Sequence, residues 1–532
     1  MNIFLDIPLL TADKVYRLLA DRFADGHKRL KDIPSPTLLK NSKKAAQRIA
    51  DAVKNGEKIT LVGDYDVDGV TSTSIMVLFF REIGYPLNAI IPNRFADGYG
   101  INENILQRIN ADLVITVDNG ITAVDAARIC KERGIDLIIT DHHTPSRQLP
   151  DAFAIVNPKL DGCTYPFKEI CGAQVAWLLL GLVKKELGVQ IDMKQYLDLV
   201  ALAVIADVMP LQNINRAIVQ EGLKQMASSP RPSSIIIKEF LNKAVISSED
   251  IAFSIAPRIN SAGRLEDASI ALEFLTAETY ESAAQRFETL NNLNNIRKST
   301  EAQTAQTASL FVDQNDKVIV VAGKDWHEGV VGIVASRLVN KFKKPSIVLN
   351  VHNGIAKGSA RSIGDVDIFS LIDSQKNLLE KFGGHKMAAG LSLREDKIEA
   401  FKRAINEEAS KIDPNDFLPK ENILGELESD AINFELLDIL EKFEPYGEGN
   451  PRPKFLIRDA RLQSIKLFGA DRSHSRLNIK IHPYDKKILE IVAFRQVLEV
   501  PGDKKITCSY TVGKNVFNGR TSIQLMLDTL YN

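Results

Sequence analysis

Residues 59–69 read Ile-Thr-Leu-Val-Gly-Asp-Tyr-Asp-Val-Asp-Gly and place Asp64, Asp66 and Asp68 at alternate positions on one turn. Three carboxylates this close repel one another wherever the dielectric is low, so packing gives no reason to gather them. A hard divalent cation removes that penalty, because carboxylate oxygens are the ligands Mg²⁺ and Mn²⁺ prefer. A lone Asp-x-Asp reads as an exposed acidic turn, so the chemistry depends on whether further ligands arrive. Three later segments carry them: Val117-Asp118-Asn119-Gly120, Thr140-Asp141-His142-His143 and Asp207-Val208-Met209-Pro210. An isolated strand-end Asp is often only a helix N-cap, but acidic and imidazole clusters that recur at one edge of a sheet point to metal. No Ser/His/Asp or Cys/His nucleophile set is needed for the hydrolysis such a centre can support.

The elements that must position these residues follow a strand–helix rhythm from about residue 46 to 160. Apolar runs at Ile59–Val62, Leu87–Ile91, Leu113–Val117, Leu137–Thr140 and Phe153–Val156 predict strands, with helices at Val70–Ile83 and Thr122–Arg133 between them. That alternation predicts parallel β-α-β units in an open sheet covered on both faces. Ligands of such sheets sit beyond the carboxyl ends of the strands, where Asp64–Asp68, Asp118 and His142-His143 fall. Tyr196–Ala206 predicts an apolar helix ending at Asp207, an acid at the end of the helix dipole that favours cations.

Downstream, Arg258-Ile259-Asn260-Ser261-Ala262-Gly263-Arg264 is expected as a polar turn suited to phosphate oxygens, and residues 275–312 as a long connecting helix. A second α/β unit follows, with strands at Val318–Ala322 and Ser346–Asn350 and a helix at Val330–Phe342. Ile355–Ser362 is an extended basic segment. Gly383-Gly384-His385-Lys386 opens a glycine-rich loop that allows close backbone approach to an anion. An acidic, helical stretch and the linker Pro445–Pro451 lead to five predicted strands, as in a small oligonucleotide-binding barrel. There Phe468, Phe494 and Phe517 are candidate stacking faces, although Phe494, inside a strand pattern, is expected in the core. Residues 1–45 are expected to cap the first domain.

At 532 residues the chain has room for three or four domains, and its 45% hydrophobic and 25% charged content is that of a globular protein. Four scattered cysteines form no Cys-x-x-Cys pair, which argues against a zinc ribbon and suits a reducing cytoplasm. The first residues lack the basic region of a signal peptide. The longest apolar stretches, such as Trp177–Val183, fall short of the roughly 20 residues of a membrane span. The net charge of −1 hides an asymmetry: from Arg452 onward there are 15 Lys+Arg against 7 Asp+Glu, a net of +8 on an otherwise acidic chain. A basic module on an acidic body suits a polyanionic partner.

Asp141-His142-His143, with the Asp-x-Asp upstream and Asp118 between, resembles the DHH phosphoesterase family. Gly383–Gly390 is similar to the signature of the substrate domain associated with it. Residue order, the run 258–264 and the basic barrel resemble the bacterial single-strand exonuclease branch of that family, over about residues 46 to 532. The resemblance implies an α/β fold: a parallel-sheet DHH domain joined by a long helix to a second α/β domain, then an oligonucleotide-binding (OB) β-barrel. The expected boundaries are an N-terminal cap (1–45), the DHH domain with a helical extension (46–270), the connecting helix (271–314), the substrate-binding domain (315–410), an acidic helical linker (411–450) and the barrel (451–532).

It further implies two divalent ions, Mn²⁺ or Mg²⁺, held by Asp66, Asp68, Asp118, His142 and Asp207 with Asp118 as the bridge. Asp64 and His143 match catalytic positions too, and whether they touch the ions or orient the groups that do stays open at this stage. Arg94, Arg258, Asn260, Ser359, Arg361 and His385 would hold the substrate phosphates, with His327 near the strand. Arginine suits this role because its planar fork binds phosphate oxygens in pairs. The implied activity is 5′→3′ digestion of single-stranded DNA in recombination and repair. The alternative is a phosphodiesterase of short oligonucleotides or cyclic dinucleotides, and a non-catalytic scaffold is the remaining reading. Expected partners are single-stranded DNA and a helicase or single-strand-binding protein, with no membrane, for a cytoplasmic monomer.

Overall fold

The computed structural model describes residues 7–23, 26–469, 471–481, 488–498, 505–517 and 519–531. The first sheet has five parallel strands in the order Asn88–Ile90, Ile59–Val62, Leu113–Val117, Asp136–Thr140, Ala154–Val156. The strands Ile59–Val62 and Leu113–Val117 are buried along their whole length, because helices cover both faces. Helices Val67–Glu82, Gly172–Leu187 and Leu197–Ala206 pack on one face, and Val124–Glu132 on the other. The register pairs Val62 with Thr116 and Val117 with Thr140, so three strand ends finish level. That level edge is the physical reason why acids distant in sequence can meet.

The connecting helix runs from Tyr280 to Leu310. Beyond it lies a mixed five-stranded sheet, ordered Lys381–His385, Ala388–Arg394, Ile355–Arg361, Ser346–His352, Ile319–Lys324, with helix Glu328–Phe342 against it. The buried carboxylate of Glu301 ties these parts together. It accepts from Arg297 on its own helix (2.6 Å) and pairs with Arg337 on helix Glu328–Phe342. The third sheet closes on itself: Lys454–Phe468 pairs with both His474–Lys480 and Lys505–Phe517, while Leu489–Ala493 and Arg520–Tyr531 complete the circuit. Among the described residues no helix is long and apolar enough to cross a membrane.

Several sequence expectations are corrected. Residues 258–264 form no turn but lie in helix Ala256–Leu265, where Gly263 is needed because a Cβ would sit 2.4 Å from the Tyr65 carbonyl oxygen. The glycine-rich loop is a hairpin, with Gly383 opposite Gly390. The acidic stretch is not wholly helical. Ile423–Leu427 is a strand of the barrel sheet, and helix Phe434–Lys442 packs beneath it. Pro445–Pro451 is no free linker, since Leu211 N–H donates to Glu448 O (2.7 Å) and Ser248 Oγ to Tyr446 O (2.6 Å). The N-terminal segment divides in two. Leu9–Leu10 adds a parallel strand beside Glu426–Leu427, and Val15, Leu19 and Phe23 enter the barrel core. Leu39 packs on the first domain. An apolar helix face docks wherever a complementary core lies open, and sequence proximity does not choose between cores.

Candidate metal centre

Each acid is fixed by local backbone chemistry. Asp66 is the N-cap of helix Val67–Glu82, its side chain accepting from Gly69 N–H (3.1 Å). Asp68, two residues on, reaches another helix: its carboxylate accepts from Gly172 N–H (2.6 Å) and Ala173 N–H (2.8 Å), at the start of Gly172–Leu187. That helix terminus favours negative charge. Asp118 sits past its strand end with φ +61, a left-handed conformation that Asp tolerates better than bulkier residues. Asn119, fully buried beside it, donates to Val62 O (3.1 Å) and Val117 O (2.9 Å) and so locks two strand ends together. Asp207 is the C-cap of helix Leu197–Ala206.

The side chains converge. His142 Nε2 lies 3.2 Å from Asp118 Oδ1, 3.5 Å from Asp207 Oδ2 and 3.7 Å from Asp68 Oδ2. Three ligand groups form, each with its atoms within 4.8 Å of one another: Asp64, Asp66 and Asp118; Asp118, His142 and His143; and Asp68, His142 and Asp207. Asp118 belongs to the first two. The donors also fit hard cations on a test internal to the molecule. Asp64 Oδ1, Asp118 Oδ1 and Asp207 Oδ2 are buried without any hydrogen-bond partner. Leaving buried acceptors unpaired is costly, and a cation between them removes that cost. Asp64 thus presents a bare oxygen within the first of these groups. His142 Nδ1 is likewise buried with no hydrogen-bond partner.

Electrostatics follow from burial. Desolvation holds Asp64 and Asp118 well above the ordinary carboxylate range, with neighbouring acids adding to it. Burial with Asp68 and Asp66 pushes Asp207 up to about 8. Asp68 is also raised, by burial first. Burial lowers His142, which keeps its imidazole neutral and able to ligate. His143 goes the other way. Burial works against its charge, yet the Asp141 carboxylate, 2.7 Å from Nδ1, carries it up to about 9.

Asp141 opens the motif that carries the family resemblance, but sequence reasoning assigned it no role. It is buried, and its Oδ1 accepts from the backbone N–H of His142 (2.7 Å) and His143 (3.0 Å) as well as from the His143 ring, while Oδ2 accepts from Ile121 N–H (2.9 Å). It shapes the turn that aims both imidazoles. The available signal was its place directly before two histidines at a strand end.

Of the phosphate candidates, Arg94 lies over the Tyr65 ring (4.3 Å) on the loop beside the acids. Ser359 and Arg361 share one face of their strand and border Gly332: a Cβ there would lie 3.3 Å from Ser359 Oγ and 3.2 Å from Arg361 Nη2. Arg264 joins them. Burial first, then Arg94 and Arg297, lower its guanidinium to about 10, and it donates to Gly329 O (3.1 Å) across the domain boundary. Only the polar run had hinted at it. Asn260 lines a cleft with Arg264 and Arg297. Arg258 is not brought to the acids: it lies on Phe240 (4.2 Å) and donates to Asn291 (3.0 Å). His385 is exposed on the edge hairpin, two strands from Arg361. His327 caps helix Glu328–Phe342 and meets Phe95 edge-on at 5.4 Å.

On the barrel, Phe494 is not in the core. It is 48% exposed and forms an edge-to-face cluster with Phe468 (6.0 Å) and His474 (5.5 Å), with Arg476 over Phe468 (5.0 Å). The side chain of Phe517 lies outside the described residues.

Comparison with known proteins agrees with this arrangement. Residues 58–204 match the N-terminal domain of the DHH family, 315–411 the DHHA1 domain and 423–529 the RecJ OB domain. The chain is 34% identical to the single-stranded-DNA-specific exonuclease RecJ of Haemophilus influenzae, over 98% of this chain and 96% of that one. It is 37% identical to the Bacillus subtilis RecJ over 94% of its own length, and spans 64% of that relative. The crystal structure of Thermus thermophilus RecJ with Mn²⁺ superposes with a TM-score of 0.81 at 31% identity, covering 93% of this chain and 72% of that one. The Mg²⁺ complex of the same protein gives 0.76 at 29% identity, covering 93% and 70%. Full-length similarity to a relative of nearly equal length, with all three domains in order, places the chain in the RecJ family of single-stranded-DNA-specific exonucleases.

Proposed function

We propose that this chain removes nucleotides from the 5′ end of single-stranded DNA by two-metal hydrolysis, in DNA recombination and repair. The observation that carries the reading is the convergence of three ligand groups through Asp118 and His142, with Asp64 Oδ1, Asp118 Oδ1 and Asp207 Oδ2 lacking any hydrogen-bond partner. Asp64, Asp66 and Asp118 would hold one ion, and Asp68, His142, Asp207 and Asp118 the other. When bound, the pair of ions supplies Lewis acidity that activates water and neutralises charge on the scissile phosphate.

The protein's own groups do the rest. Asp66 and Asp68, bonded to two helix N-termini, keep their oxygens in place without a reorganisation cost. His143, its Nδ1 committed to Asp141, has Nε2 as the atom through which it can donate to a phosphate oxygen or to the departing 3′ oxygen. Arg94, Arg264, Ser359 and Arg361 gather on the side of the second domain and suit a terminal 5′-phosphate, which would set polarity. A helicase or single-strand-binding protein is the expected supplier of substrate, and the chain is expected to act as a monomer.

The test is digestion of one oligonucleotide labelled at either end, with Mn²⁺ or Mg²⁺. Immediate release of the 5′ label as mononucleotide, with the 3′ label retained in shortening products, is expected. Equal loss of both labels, or digestion that survives chelation, would contradict the reading.

A further inference from the structure

A cleft of about 540 Å³ opens beside Asp207, between the first domain, the connecting helix and the segment entering the barrel. Two of its walls are unusual. Val208, directly after Asp207, has φ +55 and is 62% exposed. A β-branched residue in the left-handed region is a true outlier, and such strain persists only where surrounding structure imposes it. Opposite in sequence but on the same cleft, Ile251–Ile255 forms a π-helical turn, with Ala256 N–H bonded to Ile251 O. The wide turn buries Ile251 and Ile255 and leaves Phe253 80% exposed. Single π-turns inside helices concentrate at functional sites.

Hydrophobic burial explains neither residue, since both leave their apolar surface in water. Its polar rim is mixed: Asn260 and Arg264 line it with Arg297 and Arg452, both paired to carboxylates, and with the acids Glu249 and Glu448. A largely apolar slot that opens beside the acidic centre and carries an exposed phenyl on its wall is complementary to the flat face of a nucleobase. Stacking on an aromatic face tolerates any base, as digestion without sequence preference requires.

We infer that Phe253 is a positioning residue: it stacks a nucleobase of the incoming strand a few nucleotides 3′ of the scissile bond, against the wall formed by Val208. This rests on the proposed function, since it takes single-stranded DNA as the occupant. Base capture in this cleft holds the strand in register with the metal centre after each nucleotide leaves.

The test uses the full chain and 5′-phosphorylated oligodeoxynucleotides carrying 2-aminopurine at the second, third or fourth position. Binding is followed by fluorescence in EDTA, and digestion separately in Mn²⁺. Wild-type protein should quench the probe at one of these positions more than at the others. Phe253→Ala should lose that quenching and raise KM on the order of tenfold with kcat changed less than about twofold, the scale of one lost stacking contact. Phe253→Trp should restore both. A Phe253→Ala variant with wild-type quenching and KM overturns the inference, as does a Phe253→Trp variant no better than alanine. Wild-type protein that digests the strand yet quenches no position overturns the stacking alone. Wild-type protein that shows no metal-dependent digestion sinks the functional reading and this inference together.

Discussion

At the scale of single residues, the acids behave as a set waiting for charge. Without ions, Asp207 is raised to about 8 and Asp118 and Asp64 lie well above their usual range, so the centre holds protons at neutral pH that the unfolded chain would release. The sign follows: groups with a raised folded-state pKa stabilise below the unfolded value and lose that contribution as pH rises through the folded one. Metal-free protein should therefore melt at lower temperature as pH climbs from about 5 to about 8. The rise in Tm produced by Mn²⁺ should grow over the same range, because binding displaces protons. Differential scanning fluorimetry with and without Mn²⁺ checks both, and an Mn²⁺ effect independent of pH would contradict the assignment.

The sequence carried much of this scale. Residue placement marked acidic and imidazole clusters at strand and helix ends, and the resemblance to the DHH family singled out Asp66, Asp68, Asp118, His142 and Asp207, whose side chains fall in the converging groups. The roles of Asp141 and Arg264 were not legible, since they depend on bonds to backbone atoms that spacing does not reveal.

At the scale of elements, the helix Gly172–Leu187 fastens the site. Its first two N–H groups bind Asp68, and a Cβ on Gly172 would stand 2.6 Å from the Asp118 side chain. Gly172→Ala should displace Asp118, cost about 1–3 kcal/mol as an overpacked contact, and weaken Mn²⁺ binding. Gly181→Ala on the same helix meets nothing within 4 Å and should gain roughly 0.5–1 kcal/mol by reducing backbone entropy in the unfolded chain. Urea unfolding and Mn²⁺ titration of the pair separate helix propensity from site geometry.

The buried parallel strands were readable as apolar runs, because both faces are covered. Helix Ala256–Leu265 was not, because Gly263 answers to Tyr65, distant in sequence, and the Gly383–Gly390 hairpin was not, because glycines paired across two strands read in sequence like those of a loop.

At the scale of the molecule, the chain's two ends are joined. The strand Leu9–Leu10 and helix Ala12–Asp21 complete the C-terminal barrel, and Arg22 donates to Asn450 Oδ1 (3.1 Å) and Pro451 O (2.7 Å). Leu19 is fully buried there. Leu19→Ala should cost about 2–5 kcal/mol and expose the barrel to proteolysis while leaving Mn²⁺ stoichiometry unchanged. Mass spectrometry of the protease fragments reads this directly. A cut within the first domain before the barrel would contradict the docking. Nothing in the sequence of residues 7–23 distinguishes one apolar core from another, which is why this pairing could not be read there.

The central claim is that Asp118 joins two metal sites. Equilibrium Mn²⁺ binding by calorimetry, on wild-type chain and on Asp118→Ala, tests it most directly. The account predicts two ions per wild-type chain and fewer than one tightly bound ion in the variant. It also predicts a fall in kcat beyond the roughly 10²–10³-fold cost of one lost preorganised contact. One ion in the wild type, or two retained by an active Asp118→Ala chain, would contradict it.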